Sequence, residues 1–136
     1  MPSRAYAAVA VAIVALATVA ITVLVRTESA AAECRDAAAD ILLVRQGKIA
    51  QSNVDPAVRR LRDGCTDSDA PAQAAVNLAG IKRRGQAVAL AREVTRAEPE
   101  NYRGWLILSA VLGPQDRAEA RRARARARAL NPLLPR

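Results

Sequence analysis

Residues 105–132, WLILSAVLGPQDRAEARRARARARALNP, determine the fold that the sequence predicts. The first half places a stripe of residues at the i, i+3, i+4 and i+7 spacing of one helix face: Trp105, Leu108, Ser109 and Leu112. Gly113-Pro114 interrupts this helix. The second half then repeats small residues, Ala120 and Ala127, until Asn131-Pro132, where proline cannot continue a helix. The stretch therefore predicts two helices joined by a tight break, an αα-hairpin.

A weaker copy of this pattern lies upstream. Its signature positions follow in the same order: Ala75, Leu78, Ala79, Gly85 at the break, Ala87, Val94 and Pro99. Pro99 and Pro132 end the two copies 33 residues apart. Over residues 71–134 the sequence resembles the tetratricopeptide repeat (TPR), a helix–turn–helix unit with a period of about 34 residues.

The resemblance to the TPR family implies a function as well as a fold. TPR proteins present the first helix of each hairpin to a concave groove that holds a partner peptide or helix. The residues of this chain that match groove positions are Asn77, Arg83, Arg84, Arg103 and Leu106. Residues 96–102 and 128–133 resemble repeat modules that accompany bacterial cell-envelope assembly proteins, including polysaccharide ligases. The resemblance therefore implies a protein-binding scaffold in that setting.

An apolar segment near the N-terminus predicts a membrane anchor. Residues 5–25 contain no charge and consist mostly of Ala, Val, Ile and Leu. A helix of that length covers roughly the 30 Å hydrocarbon core of a bilayer. A cleaved secretory signal is the competing interpretation, with Ala30-Ala31-Ala32 as the small-residue site. Its apolar region would be too long, and Arg26, Thr27 and Glu28 separate it from that site. We therefore favour an uncleaved anchor.

The charges that flank the anchor predict its orientation. Arg4 has no acidic neighbour on the N-terminal side, whereas Arg26 is followed by Glu28, Glu33 and Asp36. The positive-inside rule then places the N-terminus in the cytoplasm and the following residues outside the cytoplasmic membrane. The inverted topology, with a basic cytoplasmic domain that binds nucleic acid, is the alternative. We expect a cytoplasmic tip and anchor over residues 1–28, a helical hairpin or cap over 29–66, and TPR-like repeats over 67–136.

The segment between anchor and repeats predicts a third hairpin closed by a disulfide. Its first helix carries a stripe at helical spacing, Ala38, Ile41, Leu42 and Arg45, and Gly47 is placed as a C-cap. Asp55-Pro56 supplies an N-cap and a first helical residue for the second helix. Cys34 and Cys65 then fall at the same end of an antiparallel pair. One disulfide between them suits an exported chain, and two unrelated buried thiols are the alternative.

The composition argues against a catalytic or metal site. The chain of 136 residues has no histidine, which is the commonest general base in enzymes. Two cysteines are too few for a zinc site built on Cys and His, which needs about four ligands. Neither a phosphate-binding glycine loop nor a paired-acid motif is present. We predict a non-enzymatic protein without metal or cofactor.

The last helix carries a row of arginines on one face, Arg117, Arg121, Arg124 and Arg128, within a chain of net charge +8. The row permits two interpretations: a surface that binds an anionic lipid, glycan or nucleic acid, or the solvated outer face of a terminal repeat. Nucleic acid is disfavoured, because aromatic residues are limited to Tyr6, Tyr102 and Trp105. The same shortage means that alanine must supply much of the packing.

Together these features predict an all-α protein with an N-terminal transmembrane helix followed by about three TPR-like hairpins. The expected role is a single-pass scaffold or adaptor on the outer side of the cytoplasmic membrane, with a protein partner in its groove. A homodimer is a second expectation, because so short an array buries little core.

Overall fold

The computed structural model describes the backbone of residues 3–135 and the side chains of residues 13–135. Within that range the protein is all-helical and has no β-strand, as the sequence predicts. The α-helices are α1 (Ser3–Arg45), α2 (Val54–Gly64), α3 (Asp69–Gly80), α4 (Arg84–Ala97), α5 (Tyr102–Leu112) and α6 (Arg117–Leu130). Short 3-10 turns, Gln51–Asn53 and Gly113–Asp116, precede α2 and α6.

The predicted anchor and the first helix of the predicted cap form a single helix, α1. It runs for 43 residues, about 65 Å at the α-helical rise. It contains neither glycine nor proline, so no residue weakens it where the charges begin. The predicted domain boundary between residues 28 and 29 thus lies inside an uninterrupted helix. The side chains of Arg4 and of residues 5–12, used in the anchor and orientation predictions, lie outside the described side chains.

The N-terminal half of α1 is long and apolar enough to span a membrane. Its large apolar side chains from Ile13 to Val25 are exposed, with Leu16 at 71% and Val25 at 57%. The character of the helix changes at Cys34, which is the first residue of α1 buried in the core. One helix therefore carries an apolar, unpacked half and a half that belongs to the folded domain.

The other helices pack in sequential pairs. α2 packs on α1, α4 on α3 and α6 on α5, while α1 contacts α3 and α4 contacts α5 across the pairs. The core takes one large, fully buried side chain from each of the first five helices: Ile41, Leu61, Leu78, Leu90 and Leu112. Most of the remaining contacts are made by alanine, and α6 buries only Ala123 and Ala127. The prediction that alanine supplies much of the packing is confirmed.

Two predicted helix faces are rotated from the observed ones. In α1 the buried stripe is Cys34, Ala37, Ile41 and Val44, whereas Leu42 is 38% exposed. In α5, Leu108 and Leu112 are buried as predicted, but Trp105 and Ser109 are only half-buried, and Gly104 and Val111 complete the inner face. The reason is that α1 and α5 each contact more than one neighbouring helix, so a stripe chosen by spacing alone misses part of the contact.

The turns inside the first two pairs are of one kind. After α1, Gly47 has φ 71°, and the Lys48 amide donates to the Leu43 carbonyl at 2.9 Å. After α3, Lys82 has φ 64°, and the Arg83 amide donates to Leu78 at 2.9 Å. Both are Schellman motifs. The C-cap prediction for Gly47 is confirmed. Gly85 is not the break in the second pair, because α4 has already begun at Arg84.

The N-cap predicted for α2 is wrong, and α3 is capped by a residue two positions before it. The Asp55 carboxylate accepts a hydrogen bond from Gln86 at 2.7 Å instead of capping α2. At the start of α3 the capping oxygen comes from Asp67, which accepts from the amides of Asp69 and Ala70, and not from Ser68 or Asp69. Ser68 is instead buried, at 6% exposure.

Replacing Lys82 by glycine should stabilise the protein. A residue with a Cβ is disfavoured at positive φ, and glycine is not. We expect Lys82→Gly to raise the free energy of unfolding by about 0.5–1 kcal/mol, because the strain relieved is at least about 1 kcal/mol and the extra backbone entropy that glycine loses on folding offsets part of it. Urea denaturation of the full-length protein in nanodiscs measures this. Arg83→Gly, one residue on at an exposed site, is the control and should not stabilise; equal gains from both would contradict the explanation.

The disulfide and four ion pairs hold the helices together. Cys34 and Cys65 form the predicted disulfide, with their Cα atoms 5.4 Å apart. Arg60 pairs with Asp40 between α1 and α2. The other three pairs join later elements: Arg62–Glu93, Arg92–Glu119 and Arg126–Glu100. The last of these ties α6 to the turn between α4 and α5.

Candidate functional site: a cleft between the last two helices

An open cleft of about 610 Å³ lies between α5 and α6. Its walls are largely apolar and come from Leu106, Ile107 and Ala110 of α5 and Ala120 of α6. Ser109 and Gly113 complete the lining on the side of α5. Three arginines, Arg117, Arg121 and Arg124, also line the cleft. It therefore combines an apolar surface with a concentration of positive charge.

The sequence of α6 explains how these features meet. Alanine and arginine alternate through most of the helix, so small side chains at 120, 123 and 127 face α5 while the longer ones lie outside. Arg117, Arg121 and Arg124 are at i, i+4 and i+7 and therefore share one face. All three are exposed. Within residues 13–135 none of them forms an ion pair, in contrast to Arg92 and Arg126.

The predicted groove and the predicted arginine row meet in this cleft. Of the predicted groove residues, Leu106 lines the cleft. Three of the four arginines of the predicted row line it as well: Arg117, Arg121 and Arg124. Arg128 stands apart, because its guanidinium donates to the Pro135 carbonyl at 3.3 Å. The predicted groove and the predicted arginine row therefore share this cleft, although the sequence predicted them as separate surfaces.

The remaining groove residues are dispersed. Asn77 is 1% exposed and accepts a hydrogen bond from Arg45 at 2.9 Å, which joins α3 to α1. Arg83 is exposed in the turn between α3 and α4. Arg103 lines a second, smaller cleft with Asp69 and Ile107. Asn77 therefore serves as a helix–helix contact in this structure, and the other two lie on separate surfaces.

The Arg84 guanidinium lies against Gly113 at the end of the α5–α6 cleft. Gly113 has φ 53°, and a Cβ placed there would lie 2.5 Å from an Arg84 guanidinium nitrogen. Glycine is therefore needed for the backbone conformation, whereas the contact with the end of the Arg84 side chain could be relieved by a movement of that side chain. That Arg84 nitrogen is buried and has no hydrogen-bond partner within the described residues.

Hydrogen bonds shift the pKa of several groups around α5 and α6. The Arg92 guanidinium donates to Glu119 through two nitrogens, at 3.0 and 2.7 Å, and lowers the pKa of that carboxyl. The pKa of Glu98 is lowered by donors from Asn101 and then Ser68. Lowered carboxyl pKa values stabilise the fold above the ordinary carboxyl pKa, and this contribution is lost as the pH falls through the folded value. Because these side chains are substantially exposed, the contribution of each is small.

The Tyr102 hydroxyl lies beside Arg103 and Asn131. The Arg103 guanidinium is the main cause of a lowered pKa at Tyr102, and the Asn131 side chain adds to it. This contact brings the start of α5 next to the residue that follows α6.

No family model, curated protein or solved structure matches this chain. The interpretation of the cleft therefore rests on its own residues. Among the described side chains, no group of three or more His, Cys, Asp or Glu residues is arranged to hold a metal ion.

The apolar wall is the part that the sequence prediction missed. Ala110 of α5 and Ala120 of α6 were not assigned to a binding surface, because the spacing in each helix predicted a single packed stripe. The signal was present, since α5 is apolar on nearly all sides, from Trp105 to Leu112 apart from Ser109. A helix that is hydrophobic all round needs burial on more than one face, and α5 has neighbours for only part of its surface.

Proposed function

We propose that this protein is a membrane-anchored, non-enzymatic interaction module that holds a protein partner at the outer side of the cytoplasmic membrane. The single observation that carries the proposal is the α5–α6 cleft, in which an apolar wall and three unpaired arginines lie on a domain continuous with an apolar helix. A TPR-like array is the fold proposed for the domain. The sequential pairing of the helices supports it, as does the 33-residue spacing of the terminal prolines.

The cleft indicates the chemistry of the partner. Its apolar wall favours a segment with a hydrophobic face, and the arginine spacing favours acidic side chains along the edge of that segment. A short amphipathic acidic helix or peptide satisfies both conditions. The Cys34–Cys65 disulfide supports placement of the domain on the outer side of the cytoplasmic membrane, because disulfides form in oxidising compartments. The setting of cell-envelope or polysaccharide assembly follows only from the sequence resemblance and stays a prediction.

A designed peptide tests the cleft. The probe is a labelled helical peptide with one apolar face edged by glutamates at i, i+4 and i+7, titrated against the full-length protein in nanodiscs by fluorescence anisotropy. We expect Arg121→Glu to weaken binding about tenfold, or about 1.4 kcal/mol. Ala110→Trp, which fills the cleft from an exposed position, should weaken it as well.

The matched control is Arg59→Glu, the same charge reversal at an exposed site on α2. Binding to this variant should remain within about twofold of the original, or about 0.4 kcal/mol. Equal losses from Arg59→Glu and Arg121→Glu would show attraction to net charge alone, and the cleft would then have no role.

A second candidate function uses the same arginines without the apolar wall. Arg117, Arg121 and Arg124 are exposed and unpaired within the described residues, as expected of a surface that binds anionic lipid, glycan or, in the inverted topology, nucleic acid. Such binding falls steeply as salt concentration rises, whereas binding of the amphipathic peptide, which is held partly by the apolar wall, should fall less steeply. Titration of the same nanodiscs with heparin, a sulfated polysaccharide, over a range of salt concentrations separates the two candidates.

A further inference from the structure

The disulfide, the α2–α3 turn, the end of α4 and the start of α5 lie together at the end of the domain nearest the anchor. The disulfide joins Cys34 to Cys65 at the end of α2. Cys65 shares a cleft with Ser68 and Ala97, which brings the start of α3 and the end of α4 to the same place. The start of α5 follows, because Asn101 and Arg103 share a cleft with Ser68. Since α1 enters the domain at Cys34, this is the end nearest the apolar helix.

The C-terminal end of the last helix lies at the same end of the domain. Arg126 pairs with Glu100 in the turn between α4 and α5, with nitrogen and oxygen 2.7 Å apart. α6 continues to Leu130, four residues further, or about 6 Å. The tail then follows, beside Tyr102 through Asn131.

The tail is uncharged in a chain rich in charge. Residues 129–135, ALNPLLP, contain no ionisable side chain. Leu133 is 92% exposed, the highest value among the large apolar residues with described side chains. Pro132 and Pro135 are exposed as well. A single exposed leucine is ordinary, but here an exposed apolar segment lies at the end of the domain that faces the anchor.

The distances bring this tail to the membrane surface. Cys34 lies nine positions after Val25, the last of the uncharged run, which is about 13 Å along a helix. The headgroup layer of one leaflet accounts for about 5–8 Å of that distance. The rest has to be spanned by the turn over residues 131–134, which is closed by the Leu134 amide donating to the Asn131 carbonyl and carries the exposed Leu133 side chain. Because the anchor already holds the domain in place, the tail binds at high effective concentration, and a small apolar contact is sufficient.

We propose that residues 129–135 form a second membrane contact, in which Leu133 inserts into the headgroup layer of the lipid bilayer. The proposal rests on the membrane anchor of the proposed function and is independent of what binds in the α5–α6 cleft. The contact is apolar, because residues 129–135 themselves carry no ionisable side chain. The charges around them are mixed, with Asp67, Asp69, Glu98 and Glu100 on the acidic side and Arg103, Arg126 and Arg128 on the basic side. The contact therefore requires no anionic lipid.

Site-specific labelling tests the contact. Leu133→Cys is labelled with an environment-sensitive fluorophore in the full-length protein, whose two native cysteines are joined in the disulfide. The control is Lys48→Cys, an exposed residue in the turn at the opposite end of the domain. Both are reconstituted in phosphatidylcholine vesicles, with and without phosphatidylglycerol. The measurements are quenching by aqueous iodide and by lipids that carry a nitroxide near the headgroup.

We expect the label at 133 to be severalfold less accessible to iodide than the label at 48, and to be quenched by the nitroxide lipids in both kinds of vesicle. Equal accessibility of the two labels, in a chain that resists alkaline extraction from the vesicles, overturns the tail contact and leaves the anchor intact. Protection only in anionic vesicles overturns the apolar form of the contact. Extraction of the chain at alkaline pH removes the anchor itself, and with it both proposals.

Discussion

Leu78→Ala should cost the domain about 3 kcal/mol of its free energy of unfolding, within the range of about 2–5 kcal/mol measured for leucine truncation in protein cores. Leu78 is 0% exposed, and its helix, α3, contacts α1, α4 and α5. Only six leucine or isoleucine side chains are buried in the core of the described residues, and the alanines around them are short of atoms with which to close a cavity. Since domains are stable by about 5–15 kcal/mol, this loss is a large share of the total.

The measurement is urea unfolding of the full-length protein in nanodiscs, followed by the fluorescence of Trp105, the single tryptophan of the chain. The matched control is Leu42→Ala, the same truncation in α1 at a residue that is 38% exposed. We expect it to cost less than about 1 kcal/mol, as substitutions outside the core usually do. A loss at Leu42 as large as that at Leu78 would show that Leu42 is part of the core, as the sequence predicted for the inner face of α1.

Removal of the disulfide should destabilise the domain by about 3–4 kcal/mol, the loop-entropy value for a closed loop of this size. The two cysteines are 31 residues apart, and the bond closes the base of the α1–α2 pair. Cys34→Ala with Cys65→Ala removes only one sulfur atom at each position, so the cavity left at the buried Cys34 is small and the main loss is the constraint on the unfolded chain. Urea unfolding with and without reductant measures the effect.

Reductant should lower the stability of the original protein by that amount and leave the double variant unchanged. A reductant effect in both would indicate a cause other than the bond.

In intact cells the redox state of Cys34 and Cys65 reports the compartment of the domain. We expect both thiols to resist a membrane-impermeant alkylating reagent until they are reduced, and then to react from outside. Free thiols that react only after lysis would contradict the outer placement and favour the cytoplasmic alternative.

The sequence was sufficient for features that depend on local chemistry. Helix spacing and proline positions gave the end of α6 within a residue, and Gly47 was identified as a C-cap because positive φ favours glycine. The disulfide followed from a simple hairpin geometry. The helix end and the C-cap need only the neighbours of each residue along the chain, and the disulfide needs only the antiparallel pairing of two consecutive helices.

Features that depend on distant neighbours were predicted less well. Lys82 adopts positive φ without being a glycine, so nothing in its local sequence marked the turn, and Gly85 was taken in its place. Asp55 was expected to cap α2, but Gln86 lies close enough to bind it. The cleft was divided into a groove and a charged row, because the sequence does not state that the arginine face of α6 lies beside the open face of α5.

The absence of any glycine or proline from α1 has a mechanical consequence. In the membrane-anchored arrangement that we propose, no hinge separates the bilayer from the domain, so the domain must tilt whenever the apolar helix tilts. Transmembrane helices tilt by about 20° on average, and by more in thinner bilayers. α5 lies two helix spacings from α1, about 18 Å, so a tilt of that size in its direction moves the cleft by about 6 Å relative to the membrane surface. Bilayer thickness thereby helps to set the height at which the protein presents its cleft.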